Sequence, residues 1–255
     1  GLVFVPFAIF HFKKIPKNKL GVVILSAVFG NLLPAFLFAA AMSHKMDGAL
    51  GGILNSLTPI CVVVIGILFF KANIASQKIV GVLVGFGGLL VLTIIPALTG
   101  EKPITFENMG YSLLILLATL LYGINVNMVG QYLKGVVHPI HAATVSLACM
   151  TIPTGIVLWQ QGFFELDFGK PEVQKALWAS TALGVFCSAI ATALFYVLVQ
   201  KAGALFASLV TYGIPFIALI WGLIDHEAIY WGQIVGLCII LLGVYLANRP
   251  ARDKS

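Results

Sequence analysis

GALGGILNSLTPICVVVIGILFF, residues Gly48–Phe70, is 23 residues long and carries no charge. At about 1.5 Å per residue it is long enough to cross a bilayer as a helix. Its centre nevertheless holds Asn55, Ser56, Thr58 and Pro59, groups that hydrocarbon penalises unless protein or a wet cavity receives them. An altered copy, ALFASLVTYGIPFIALIWGLI, occupies Ala204–Ile224. Pro59 answers to Pro215, Gly66 to Gly222 and Lys71 to Glu227, all at an offset of 156 residues. Paired spans interrupted by Pro and Gly at corresponding points are the best pointer a sequence gives to a transporter's binding site.

The composition fits a polytopic membrane protein. Of 255 residues, 60% are hydrophobic and 9% charged, whereas about a quarter of a soluble domain is charged; the mean hydropathy is +1.04. A formal charge of +6 invites a nucleic-acid reading. The basic residues, however, lie in short runs between apolar segments, as orientation in a membrane requires. Cys61, Cys149, Cys187 and Cys238 fall inside apolar segments without paired or metal-ligand spacing and read as small buried hydrophobes. The chain begins at Gly1, and its first apolar run ends at Phe12, too short to span; it reads as the end of a longer helix rather than a signal peptide.

Eight full spans are expected after this stub, at about 20–42, 48–70, 78–99, 109–130, 139–160, 175–199, 203–225 and 229–247. Sorting the connectors alternately puts eleven basic residues on one side: Lys13, Lys14, Lys17, Lys19, Lys71, Lys78, Lys134, Lys201, Arg249, Arg252 and Lys254. Only Lys45, Lys102, Lys170 and Lys175 lie on the other. The excess places the C-terminus in the cytoplasm, in the inner or cytoplasmic membrane. The acids follow the opposite partition, with only Asp253 inside.

From the span with Pro59 to the span with Pro215 there are five steps, an odd number, so the two copies are expected to be inverted repeats. Gly81 and Gly88 answer to Gly236 and Gly243 at an offset of 155. This sets a first repeat in residues 1–100, lacking its first helix and most of its second, and a second repeat with the C-terminal tail in 101–255. The expected fold class is an all-α polytopic membrane protein of two inverted five-helix repeats, ten spans when intact.

These features resemble the drug/metabolite transporter superfamily, and within it the EamA-like permeases. The likeness rests on Ala49 through Pro59, the run from Gly81 to Leu92, Gly203-Ala204 through Pro215 to Glu227, and Gly236 with Gly243; Tyr122-Gly123-Ile124-Asn125 looks like the family's aromatic-small motif. The resemblance implies alternating access and export of amino acids or related metabolites. It also leads one to expect a Glu after the fourth helix of each repeat. Glu227 provides it once, but Lys71 stands in the first copy.

The substrate-binding candidates come from the polar groups inside spans. Asn55, Thr58 and Pro59 lie within about one helical turn, as do Thr211, Tyr212 and Pro215. Pro59 should free the carbonyl of Asn55, and Pro215 that of Thr211. Either these groups line a central cavity that holds a polar solute, the reading that their occurrence in both copies favours, or the kink is satisfied by neighbouring hydroxyls without a ligand. Thr181, Ser188, Thr192 and Tyr196 make a polar stripe, Tyr122 with Asn125 a shorter one, and Asn31 lies near Pro34; each faces either a solute or another helix. Gly81, Gly85, Gly88, Gly232 and Gly236 have helix-packing spacing. His44, Asp225, His226 and Glu227 sit at outer span ends, while His11, His138 and His141 are interfacial.

No Asp, Glu, Lys or Arg occupies the middle of a span, so proton coupling has no visible carrier. There is no HExxH, Gly-x-Ser-x-Gly, phosphate-binding loop or intramembrane aspartate pair, hence no catalytic residue, metal or cofactor is expected. The expected partners are a small-molecule metabolite and the lipid bilayer, with no nucleic acid; a homodimer is compatible with this architecture. A non-catalytic membrane subunit and a membrane-embedded transferase are the alternatives.

Overall fold

A computed structural model of the chain describes residues 2–44, 48–98, 109–224, 226 and 230–249, and these contain helices and no strand. Hydrocarbon offers no hydrogen bonds to a backbone, so an apolar segment must satisfy its own, and a helix does so within one segment. Among the described residues, eight helical stretches have the length and hydropathy to cross a membrane: Lys17–Ser43, Gly51–Phe70, Ser76–Ile95, Ser112–Tyr132, Pro139–Gln160, Pro171–Ala202, Ala204–Trp221 and Trp231–Asn248. They fall on the eight expected spans. The chain is an all-α, multi-pass membrane protein.

The helices are α1 (Val5–Phe12), α2 (Lys17–Ala27), α3 (Leu33–Ser43), α4 (Gly48–Asn55), α5 (Thr58–Phe70), α6 (Ser76–Leu98) and α7 (Ser112–Tyr132). They continue as α8 (Pro139–Cys149), α9 (Thr151–Gln160), α10 (Pro171–Ala182), α11 (Ala191–Ala202), α12 (Ala204–Ser208), α13 (Ile214–Ile224) and α14 (Trp231–Asn248). Two spans contain π-helical segments, Val28–Leu32 between α2 and α3, and Leu183–Ile190 between α10 and α11. The offset of 156 carries the first onto 184–188, inside the second. Three further spans are broken. A turn at Met150 separates α8 from α9. In the other two, α4 gives way to α5 at the Ser56-Leu57 turn, and a 3-10 segment, Leu209–Gly213, separates α12 from α13. These last two breaks also correspond at 156.

The chain forms two compact units, and neither is a contiguous half. One joins Gly1–Leu32 to Met128–Gly203; the other joins Leu33–Asn127 to Ala204–Ser255. In the first, α1, α2 and α11 all pack against α8. Every residue from Ala142 to Leu147 is buried, because Ala142, Ala143 and Ser146 are small enough for neighbouring helices to approach.

The second unit is built on α6 and α14. A Cβ on Gly81 would lie 2.3 Å from the Ala247 nitrogen, and one on Gly236 would lie 2.5 Å from the Leu92 nitrogen. Between these points Gly243 meets the backbone of Gly85, and Gly88 meets that of Ile240. Rising numbers on α6 thus meet falling numbers on α14, so the helices are antiparallel. The contacts also exchange under the 155 offset: Gly81–Ala247 becomes Gly236–Leu92, and Gly85–Gly243 becomes Ile240–Gly88. Around this seam lie Val63, Val82, Leu89, Leu209, Tyr212 and Ile240.

The exposed surface is rich in large apolar groups, including Leu68, Phe69, Trp159, Trp178, Phe186 and Trp221, as a lipid-facing surface should be. Two of the four cysteines belong to it. Cys61 is buried and Cys149 half-buried, but Cys187 and Cys238 are exposed, so the expectation of burial holds for only part of the set.

At the end of α5, Lys71 adopts φ 52° and ψ 34°, and the Ala72 N–H reaches the Gly66 carbonyl at 2.9 Å. This left-handed cap is a position that favours glycine. Exposed Lys71 holds it against the cost of its Cβ. Lys71→Gly should therefore raise stability by about 1 kcal/mol, read as a higher unfolding midpoint in detergent. The corresponding Glu227 lies outside the described residues, as does Asp225.

Candidate functional site

The proline-broken spans pack together in the second unit, α5 against both α12 and the 3-10 segment Leu209–Gly213. The break has a simple cause. Each proline becomes the second residue of a new helix, where its missing N–H belongs to the unbonded first turn in any case. The carbonyls expected to be free have local partners. Thr58 donates its hydroxyl to the Asn55 carbonyl, and the Ile214 N–H bonds the Thr211 carbonyl. Each oxygen keeps a second lone pair, so neither is the orphan that the proline alone implied.

The polar side chains at these breaks differ in their commitments. Thr58, Pro59 and Pro215 are buried, while Asn55 and Thr211 are half-buried; the Thr211 hydroxyl donates to the Ser208 carbonyl at 2.8 Å. Tyr212 is fully buried, its ring over Gly85 and its hydroxyl donating to the Val82 carbonyl at 2.8 Å.

On α7 a different picture emerges. Tyr122 is half-buried, and Asn125 is buried with its Oδ1 unpartnered. Two residues on, Asn127 donates from Nδ2 to the Val62 and Gly123 carbonyls, both at 2.9 Å. Gly123 lies against the Cys61 backbone and Ile65. Thr119, Gly123 and Asn127 therefore form a four-residue-spaced seam onto α5. Sequence reasoning passed over Asn127; the small and polar i, i+4, i+8 series was the signal that could have found it.

In the first unit, Asn31 leaves the first π segment to accept a bond from the Thr192 hydroxyl at 3.4 Å. The Tyr196 hydroxyl bonds Ser26 and lies 3.4 Å from the Ser146 hydroxyl. Ser188, in the second π segment, is exposed, as is Thr181. One turn beyond Tyr196, Gln200 is buried with Nε2 unpartnered. Tyr196→Phe should lower stability by about 1 kcal/mol, because the hydroxyl joining three helices is lost while the ring still fills its place. Equal unfolding midpoints in detergent would show that the serines rebond to their own helices at no cost.

At one end of the second unit, His44 bonds the Ala40 carbonyl through Nδ1 at 2.8 Å and stacks on Tyr111 with ring centroids 4.1 Å apart. Thus the structure gathers Asn55, Thr58, Pro59, Tyr122, Asn125, Thr211, Tyr212 and Pro215 in one unit, and Asn31, Ser188, Thr192 and Tyr196 in the other.

A search of curated proteins found no match. One similar solved structure, described only as "Crystal structure of protein", aligns at 16% identity with a TM-score of 0.68, over 91% of this chain and 78% of that one. It is a likeness of fold. The profile of the EamA-like transporter family matches residues 1–94 and 109–249, nearly the whole described molecule. The chain belongs to the EamA-like transporter family.

Proposed function

We propose that this protein is a secondary transporter carrying a small polar or amphipathic metabolite, such as an amino acid, outward across the cytoplasmic membrane by alternating access. Its C-terminus would lie in the cytoplasm, and the solute would bind near mid-membrane at the broken spans of the second unit. Asn55, Tyr122, Asn125 and Thr211 are the proposed contacts there.

The unpartnered Oδ1 of buried Asn125 carries this proposal. A buried amide oxygen without a donor costs about 1–3 kcal/mol, and a solute N–H or O–H would relieve that cost. Family membership supports transport as the general activity, and exchange of the α6–α14 contacts under the 155 offset supports the inverted-repeat reading. With no charged side chain in mid-span, the proposed site suits a solute without a large net charge.

Flux of labelled solute in vesicles tests the site through Asn55→Leu and Thr211→Val in the full protein. Each should lower flux severalfold, by removing polar contacts of about 1 kcal/mol; Asn55→Leu should leave the unfolding midpoint level, and Thr211→Val, which also loses the bond to the Ser208 carbonyl, should lower it only slightly. Unchanged flux in both variants removes the proposed site.

A further inference from the structure

At one end of the first unit, three imidazoles converge without a carboxylate. The His11 and His141 ring centroids are 4.4 Å apart, and those of His138 and His141 are 4.9 Å apart. Lys14 is close enough to act electrostatically on both His11 and His141. No Asp or Glu occurs in α1, α2, α8, α11 or the connectors 13–16 and 133–138; the remaining charges there are Lys13, Lys17, Lys19, Lys134 and Lys201. The cluster is not arranged to hold a metal ion.

The same place presents backbone donors. His138 precedes α8 in an extended conformation, and no side chain caps the helix. Its first helical bond runs from the Ala142 N–H to the His138 carbonyl, leaving the N–H groups of Ile140 and His141 ahead of the ladder. Two buried side-chain nitrogens are also unpartnered, His11 Nδ1 and Gln200 Nε2. Gln200 is only 8% exposed. Tyr196 meets Ser146, and consecutive spans run oppositely, so Gln200, four residues along α11, falls level with Ala142, at the end of the first turn of α8.

We propose that the first turn of α8, with His11, His138, His141, Lys14 and Gln200, binds a phosphate group, that of an anionic phospholipid. Backbone N–H groups at a helix start, an amide donor and protonatable imidazoles are the donor set that phosphate oxygens accept from. Phe10 and Phe12, on either side of His11, are exposed at 73% and 48%. They give acyl chains an apolar wall beside the headgroup, which favours a lipid over free phosphate.

Desolvation, followed by the charges of Lys14 and His138, holds His11 below its ordinary pKa. A bound anion acts in the opposite direction, so lipid binding takes up protons and strengthens as pH falls through the imidazole range.

The test is native mass spectrometry of the full protein offered phosphatidylglycerol or phosphatidylcholine, at pH 6 and pH 8. The expected result is about tenfold preferential retention of phosphatidylglycerol at pH 6, as charge-assisted hydrogen bonds provide, and less at pH 8. His11→Gln/His141→Gln should abolish the preference. Gln200→Leu, which removes one donor and no charge, should reduce it while the unfolding midpoint holds, and it decides the matter if the double variant fails to fold. Inorganic phosphate is the second probe. A rise in unfolding midpoint with phosphate but no lipid preference would overturn the lipid assignment. No response to either probe, or a preference that survives Gln200→Leu and is indifferent to pH, would overturn the site.

Discussion

Gly243→Val should be the most damaging single substitution at the α6–α14 seam. Its Cβ would stand 2.2 Å from the Gly85 nitrogen, 2.5 Å from the Gly85 Cα and 2.7 Å from the Gly81 carbonyl oxygen. All three are backbone atoms, so no rotamer change can make room and the helices must separate. Separation strips contacts from Val82, Leu89 and Ile240, and it moves Val82 away from the Tyr212 hydroxyl. A loss of about 3 kcal/mol or more is expected, read as a large drop in the detergent unfolding midpoint. Gly87→Ala is the control on α6, since nothing lies within 4 Å of a Cβ there. It should be neutral or gain up to about 1 kcal/mol from helix propensity. Equal midpoints for Gly243→Val and the parent would mean that α6 and α14 do not meet as described.

Asn125→Leu should separate transport from stability. Leucine is nearly isosteric and has no acceptor to leave unpaired, so the unfolding midpoint should stay level or rise by an amount equivalent to about 1–3 kcal/mol. If a solute donor bonds this oxygen, flux should fall about tenfold or more, the loss expected when a bound solute loses its buried acceptor. Flux and unfolding midpoint are to be measured on the same preparation. A more stable protein with undiminished flux would identify Asn125 as a packing defect and remove the main support for the proposed site. Asn127 should behave otherwise. Its amide joins α7 to α5, so Asn127→Leu should lower stability by about 1 kcal/mol, and flux would change only through folding.

Much of this molecule could be read from local features. Each span is recognisable because the penalty for exposing backbone or charge to hydrocarbon falls on a segment of about 20 residues regardless of its neighbours. Pro59 and Pro215 mark breaks in any helix that contains them, since the missing donor is a property of the residue. The glycines of α6 and α14 declared a close approach by their spacing. Other features left no local trace. The π segment at Leu183–Ile190 has no proline in or beside it to announce it. The Asn55 carbonyl looked free until the Thr58 hydroxyl was seen on it.

The sequence by itself determined that the chain is a multi-pass membrane protein, that Pro59 and Pro215 interrupt two of its spans at corresponding points, and that related segments recur 156 residues apart. Tertiary structure decided which polar side chains are already engaged. Tyr196 and Ser26 are 170 residues apart, Tyr212 and Val82 130, and Asn127 and Val62 65, so each partnership exists only after packing. It also decided that Asn125 and Gln200 are buried with an unpartnered polar atom. Solvation by the bilayer acts on one segment at a time and is written into composition, whereas a hydrogen bond between helices depends on where distant side chains are carried, which residue periodicity does not encode.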